Sequence, residues 1–435
     1  MTCRDLGQVS TAIETLRAAI FRLPHESMLW NSLATVLAED GRVEESLVFY
    51  DEAVRLDPKF ARLQHNLGYA YAHLGQLDKA LAAYDRALEI AVDPTERLET
   101  THSRAVCLIG TGRLEEGFAA HEIRNNPRFR AYLPHLFKAP QWSGQDLAGK
   151  TITVVGEQGL GDELMLANVL PDIQRAVGDV GKLQIAVDGR LVALFQRSYP
   201  MAEVGAYEDR SVIDQEVDQA IRFVKFVTDK REPDYWTPMG SALQYLRKSI
   251  DAFPREAFLK PDSGQVAALR ESLRAKGPGP YVGICWRSMM LGSKRAKYYS
   301  PLNLWTPILR TPGVTFVNLQ YGDSASDLAR VKEQFDVDIH DMGVDLKNDI
   351  DATAALASAL DLVISAPTAA AANAGAVGTE VWFVTAGRTW PQLGTDEYPW
   401  YRKSHVYSPA KFGDWNELMP KVALELTAFA RRHRT

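Results

Sequence analysis

The first quarter of the chain repeats itself. Gly7, Gly41 and Gly75 lie 34 residues apart, and so do Leu16, Tyr50 and Tyr84, and Ala19, Ala53 and Ala87. Pro24 and Pro58 keep the same step, while the next proline comes two residues late, at Pro94. A unit of this length cannot bury its own apolar face, so successive units must stack, and the stack constrains the fold more than any other feature of the chain. The spacing predicts paired helices. Each glycine ends a first helix, and small Ala or Gly residues let the two helices approach. Tyr50 and Tyr84 fill the gaps between neighbouring units. Asp57-Pro58 and Asp93-Pro94 are expected to end the second helices, since proline cannot continue the hydrogen-bond ladder. A fourth unit around Ala105, Gly112 and Gly117 follows a three-residue insertion and carries Arg124 where alanine is expected, so it reads as a cap onto the next domain. Only six residues precede Gly7, which implies half a first unit or a truncated start.

The residue types resemble the tetratricopeptide (TPR) pattern: Trp30, Leu33 and Ala34 in one unit, Leu67, Gly68 and Tyr71 in the next. An isolated array of this kind is a scaffold without chemistry, but here more than 300 of the 435 residues follow it. A net charge of −6 provides no general drive toward nucleic acid or anionic membrane, so any phosphate binding must be local. Cys3, Cys107 and Cys285 are odd in number and far apart, which points to neither a disulfide framework nor a zinc site. With no apolar N-terminal core and no long apolar window, the expected location is the cytoplasm.

From Thr151 onward short β-rich runs alternate with helical stretches, the pattern of a parallel α/β fold. Expected strands are Thr151 to Val155, Leu183 to Val187, Tyr281 to Trp286, Thr315 to Gln320, Leu362 to Ala366 and Glu380 to Val384. They fall into two groups, separated around Phe253-Pro254 to Pro261-Asp262. The expected organisation is therefore a TPR solenoid over residues 1–125, then two Rossmann-like domains over 126–255 and 256–435 that face across a cleft, the GT-B architecture.

Directly after the first expected strand comes Gly156-Glu157-Gln158-Gly159-Leu160-Gly161-Asp162-Glu163. A glycine-rich turn into a helix presents backbone N–H groups to an anion or polar ligand and allows close approach. Asp162 at its mouth suits either a helix cap or a catalytic base. The segment resembles the EQGLGD signature of bacterial TPR-containing glycosyltransferases and, more distantly, the glycine–Asp turn of heptosyltransferases. Pro140-Gln141-Trp142-Ser143-Gly144, GICWRS at 283–288, FVNLQYG at 316–322, ALDLVISAPT at 359–368 and the late Trp390, Pro399-Trp400-Tyr401 and Trp415 follow in the same order. The resemblance covers nearly the whole chain and extends to flagellin glycosyltransferases. It implies inverting transfer of a sugar from a nucleotide-sugar donor to a protein acceptor, flagellin among the candidates, with Asp162 as the base and Gly159 and Gly161 beside the donor.

For the leaving phosphate, Arg287 and Ser288 at a strand end are the expected partners, with Lys294, Arg295 and Lys297 next to them; a charge run of that kind is usually a solvated loop, so Arg287 is preferred. Gln320 in FVNLQYG belongs to the same donor side. A second phosphate or ribose site is Ser365 to Ala369, including Pro367, Thr368 and Ala369, running into a small-residue helix through Asn373. Heptosyltransferase-like sequences place Asp before that Thr and His four residues beyond it, whereas this chain has Pro367 and Ala372. That departure leaves UDP- and CMP-sugars open beside ADP-heptose and permits a non-catalytic scaffold as an alternative function; the heptosyltransferase resemblance leaves a transferase acting on a glycan or lipid carrier as another. Asp349-Ile350-Asp351 forms a DxD triplet, but Asp351 there suits a helix N-cap, and no metal or other cofactor is expected. Trp286, Trp390, Trp400 and Tyr401 are read as core more than as stacking platforms.

Overall fold

A computed structural model describes residues 9–129, 132–135, 137–157, 159–214, 217–224, 232–289 and 293–433. Among the described residues the N-terminal part holds seven α-helices: α1 (Val9–Arg22), α2 (Ser27–Glu39), α3 (Val43–Leu56), α4 (Ala61–His73), α5 (Leu77–Ile90), α6 (Pro94–Gly110) and α7 (Leu114–His121). Helices α2/α3, α4/α5 and α6/α7 are hairpins, and α1 packs on α2 as the second half of a unit whose Gly7 lies outside the described residues. The turns hold Gly41, Gly75 and Gly112 at φ +88, +70 and +84, a left-handed conformation that side chains other than glycine rarely adopt. The same three turns also abut the C-terminal domain. A Cβ on Gly41 would stand 3.8 Å from the Lys297 side chain, one on Gly75 3.7 Å from Arg388, and one on Gly112 3.1 Å from the Leu393 carbonyl. The turns of the repeat, 34 residues apart from Gly41 to Gly75 and 37 from Gly75 to Gly112, are therefore also the points at which the array docks.

One expectation is corrected. Asp93-Pro94 does not end a helix but begins α6: Pro94 takes the first helical position and the Asp93 carboxylate accepts the Glu96 N–H at 2.8 Å. Proline is tolerated there because that N–H has no intrahelical partner in any case, and Asp is a strong N-cap.

Two sheets follow. The first contains β1 (Thr151–Val155), β2 (Lys182–Val187), β3 (Glu203–Asp214), β4 (Val217–Val224) and β5 (Tyr235–Pro238) in the order β4-β3-β2-β1-β5, parallel except for the β3/β4 hairpin. Helices α8 (Leu160–Leu166), α9 (Leu170–Val177), α10 (Val192–Ser198) and α11 (Met239–Leu246) connect and cover it. The second contains β6 (Tyr281–Cys285), β7 (Thr315–Asn318), β8 (Ile339–His340), β9 (Leu362–Ser365), β10 (Val381–Val384) and β11 (Ser404–Tyr407), all parallel, in the order β11-β10-β9-β6-β7-β8. Its helices are α12 (Ser263–Arg274), α13 (Ser293–Ala296), α14 (Thr306–Leu309), α15 (Ala325–Phe335), α16 (Ile350–Ala359), α17 (Ala369–Ala376) and α18 (Trp415–Arg432). This is the doubly wound Rossmann order, in which strand order reverses between β6 and β9, and such reversals are where α/β sheets bind ligands. The chain is thus a TPR solenoid followed by two Rossmann-like domains.

Both faces of the second sheet are buried. Tyr281, Cys285, Val363 and Phe383 pack on one side, while Val282, Ile284, Ile364 and Trp382 pack on the other against α14 and α18, so the strands read as apolar runs and not as alternation. The first core also takes in Ile109, Leu114 and Phe118 from α6 and α7 together with Ala242 and Leu243 of α11. Repeats and first sheet thus share one core. Phe118 is 2% exposed, so Phe118→Ala should cost about 3–5 kcal/mol. Guanidinium unfolding followed by far-UV circular dichroism and tryptophan fluorescence should show both signals shifting together. A helical signal that melts alone, with fluorescence unmoved, would sink the shared core.

Candidate functional site

The glycine-rich turn after β1 is held from two sides by buried carboxylates. On one side Glu157 faces Arg124, which follows α7 and is 7% exposed. One Arg124 Nη2 donates to Glu157 Oε1 at 2.7 Å, to Oε2 at 3.0 Å and to Ser241 Oγ at 3.0 Å at the start of α11. Gly240 leaves room for this pair, since a Cβ there would lie 2.7 Å from Glu157 Oε2 and 2.9 Å from Arg124 Nη2. On the other side Glu163, 0% exposed, accepts the Asp188 N–H at 3.0 Å and the Tyr207 hydroxyl. Gly156 passes so close that a Cβ would meet Glu163 Oε2 at 2.5 Å. Arg222 closes the arrangement: it donates to the Gly156 carbonyl at 2.5 Å, pairs with Asp209 at 2.7 and 2.8 Å, and lies 3.4 Å over the Tyr207 ring. Gln158 lies outside the described residues.

Asp162 sits between these anchors, open to the cleft. The cap of α8 is Gly159, and Asp162 occupies the third helical position, where its carboxylate accepts the Gly159 N–H. It is therefore not the N-cap, though it satisfies one amide of the turn. Protein crowds it even though water reaches it, and its carboxyl is pushed above the ordinary carboxylate range, by desolvation first and by neighbouring Glu157 next; the Gly159 N–H and the Arg295 guanidinium oppose the rise.

Facing Asp162 is the N-terminus of α17, at the order reversal of the second sheet. The two domains touch here through small residues: a Cβ on Gly161 would lie 3.3 Å from the Ala369 Cα. Thr368 is the N-cap of α17 but makes no side-chain cap hydrogen bond, so the first amides of the helix point into the cleft uncapped. Asn373 is 1% exposed; its amide nitrogen donates to the Ile350 carbonyl at 3.3 Å, and its Oδ1 has no partner among the described residues. A cavity of about 570 Å³ brings together Gly159, Gly161 and Asp162 from the first domain with Ser288, Pro367, Thr368, Ala369 and Asn373 from the second.

Two other expected site residues lie behind this wall. Arg287 pairs with Asp327 at 3.1 Å outside the cleft lining. Gln320, buried, accepts the Trp286 and Arg287 N–H groups at 3.2 and 3.0 Å and donates to the Arg287 and Tyr321 carbonyls at 2.9 and 3.1 Å, so its amide is used in fixing the loop after β6. The Lys294 side chain lies outside the described residues. Sequence reasoning missed the cations that do line the cleft as its own wall, Arg190 and Lys347, and gave Arg295 too little weight. Arg190 has no motif around it; its place is fixed by Asp188, at 2.9 Å, and the Lys347 carbonyl, at 3.1 Å. The DxD triplet is likewise re-read. Asp349, not Asp351, caps α16, accepting the Ala352 N–H at 2.9 Å, while Asp351 forms a two-point pair with Arg197 of the first domain at 2.6 and 2.7 Å. Trp286 and Trp400 are core, whereas Trp390 and Tyr401 reach the cleft wall.

Two repeat families match the N-terminal part: Tetratricopeptide repeat over residues 61–93 and TPR repeat over residues 35–75. Protein FlbA of Caulobacter vibrioides is 42% identical over 98% of this chain and 71% of its own length. Among solved structures, E. coli ADP-heptose LPS heptosyltransferase II overlays 66% of this chain and 100% of its own at 12% identity and a TM-score of 0.46. The glycosyl transferase family 9 protein of Veillonella parvula overlays 61% of this chain and 88% of its own at 10% identity and a TM-score of 0.44. No helix among the described residues is long and apolar enough to cross a membrane.

Burial raises the Glu163 carboxyl to about 7, offset only in part by its two hydrogen bonds. The folded protein thus holds this proton more tightly than the unfolded chain. The resulting stability is fully present below the unfolded value near 4.5 and is lost as pH rises to about 7. Across that window the loss should be on the order of 3 kcal/mol. Glu163→Gln imitates the protonated form, with its oxygen toward Asp188 N–H and its nitrogen toward the Tyr207 oxygen. Melting curves from pH 5 to 8 should therefore fall less steeply for the variant. Parallel curves would exclude Glu163 as the titrating group.

Proposed function

The chain belongs to the FlbA family, and on that footing we propose that it is a protein glycosyltransferase that moves a sugar from a nucleotide-sugar donor to a hydroxyl of a polypeptide acceptor, in the cytoplasm, with inversion and without a metal. The observation that carries the reading is the shared cleft: a carboxylate of raised pKa and an uncapped helix N-terminus line one cavity of about 570 Å³. The EQGLGD turn and its following motifs support the same assignment. A TPR array docked along the second domain supports a polypeptide acceptor over a lipid-linked one.

In this reading the acceptor oxygen attacks the anomeric carbon while Asp162 takes its proton, and the bond from that carbon to the donor phosphate breaks. The elevated pKa makes Asp162 a better base than an ordinary carboxylate. The nucleotide leaves with the added negative charge, which the first amides of α17 and the Arg295 guanidinium stabilise. Thr368 and the free Oδ1 of Asn373 take hydroxyl or amine groups of the donor, Ser288 contributes from the loop after β6, and Pro367 and Ala369 let the phosphate approach the backbone. Arg287 and Gln320 act from behind by holding that loop. Flagellin remains a candidate acceptor.

Asp162→Asn should lower transfer by roughly two orders of magnitude or more while leaving donor affinity, measured by calorimetry, nearly unchanged. Full turnover in the variant would remove Asp162 as the base. Turnover should also persist in excess EDTA, because Asp349 and Asp351 are committed to a helix cap and an ion pair. Activity lost on chelation and restored by a divalent ion would overturn the metal-free mechanism.

A further inference from the structure

A second cavity of about 550 Å³ lies between the repeats and the C-terminal domain, walled by α4, α5 and α6 on one side and by the segment after β10 on the other. It adjoins the Asp162 cleft, since Arg295, Tyr299, Pro367, Thr389 and Trp390 line both. Its repeat-side wall is aromatic and aliphatic, formed by Tyr69, Leu77, Tyr84 and Val106. No carboxylate lines it among the described residues, and its charged groups are the guanidiniums of Arg295 and Arg388. Two imidazoles add no positive charge at neutral pH: desolvation holds His73 down at about 4 and lowers His102 as well. Ser103 also lines the passage, while the hydroxyls of Thr385 and Thr389 are bonded to Ser408 and Tyr398, at 2.6 and 2.7 Å, within the C-terminal domain.

We propose that this passage is where the acceptor lies: a neutral-to-acidic polypeptide segment, with an aromatic or aliphatic side chain seated between Tyr84 and Val106, runs through it and delivers a Ser or Thr hydroxyl to Asp162. The inference rests on the transferase reading of the Asp162 cleft. Two guanidiniums in a passage whose described lining holds no carboxylate disfavour basic residues beside the hydroxyl and favour acidic ones. The guanidiniums of Arg295 and Arg388 on the wall serve peptide carbonyls, whereas the hydrocarbon of a polyprenyl carrier has no use for them, and the repeat-side wall is what an isolated pair of Rossmann domains lacks.

The test uses the full-length chain and a fluorescent positional-scanning library of Ser- and Thr-centred peptides, read by polarisation. Wild type should select apolar or aromatic residues and exclude Lys and Arg near the hydroxyl. Val106→Trp, which fills the passage from the repeat side, should weaken the selected peptides by about tenfold or more. Arg388→Glu, an exposed change at the far wall, should reverse the charge preference without threatening the fold. Thermal shifts with UDP, CMP and ADP should be the same in all three proteins. Peptide binding indifferent to both substitutions, selection of basic peptides by wild type, or absence of any peptide binding would each overturn the proposal. So would binding of polyprenyl phosphate vesicles, sensitive to Val106→Trp, in place of peptides. If no nucleotide stabilises wild type, the transferase reading fails, and a Val106-sensitive peptide preference identifies that failure as separate from the passage.

Discussion

The pair between Arg124 and Glu157 joins the repeat array to the turn on which the cleft is built. Without Arg124, Glu157 would be an uncompensated charge in a low-dielectric setting, and without Glu157 the buried guanidinium would keep only Glu122, so neither can be lost alone without a penalty. Glu157 stands one residue beyond the end of the close approach between Gly156 and Glu163, and the turn is therefore fixed from the repeat side and from the sheet side at once. Asp162 inherits its position from both. The negative charge of Glu157 also helps raise the Asp162 carboxyl, which ties the electrostatics of that carboxyl to the same anchor.

Each Rossmann-like domain presents its own order reversal to the other. In the first sheet the reversal lies between β1 and β5, and in the second between β6 and β9; the turns that follow β1 and β9 meet as Gly161 against Ala369. Small residues at that meeting matter because any larger side chain would separate the two helix N-termini and widen the gap between Asp162 and the first amides of α17. Farther from the cleft, Arg197 with Asp351 and the Asn168 amide on the Trp400 carbonyl, at 2.9 Å, hold the domains at this spacing.

Much of this was legible in the sequence, for physical reasons that differ by element. The repeats were readable because packing of paired helices demands glycine, alanine and aromatic residues at a fixed step. Strands β1, β2, β6, β7, β9 and β10 were readable because strands buried on both faces are apolar runs. Strand β5 was missed because Tyr-Trp-Thr-Pro is short and ends in proline at a sheet edge, and β8 because two residues make no pattern. Asp162 stood out through its local turn. Arg190, Lys347 and the Arg124–Glu157 pair did not, since each depends on residues distant in sequence that only the fold brings together. Arg287 and Gln320 illustrate the converse: a strand-end motif identified their neighbourhood, but a motif does not say which way a side chain turns.

Solenoids whose units touch only their neighbours gain and lose whole repeats readily during evolution, because removing one merely shortens the stack. This array is keyed differently. Its turns at Gly41, Gly75 and Gly112 each meet a different place on the C-terminal domain, at Lys297, Arg388 and Leu393. Loss or duplication of an internal repeat would shift every earlier turn by one place and set it against a contact shaped for another. Descent should therefore conserve the number of units between α2 and α7 while tolerating growth beyond α1, so that lineages diversify the array from its outer end alone.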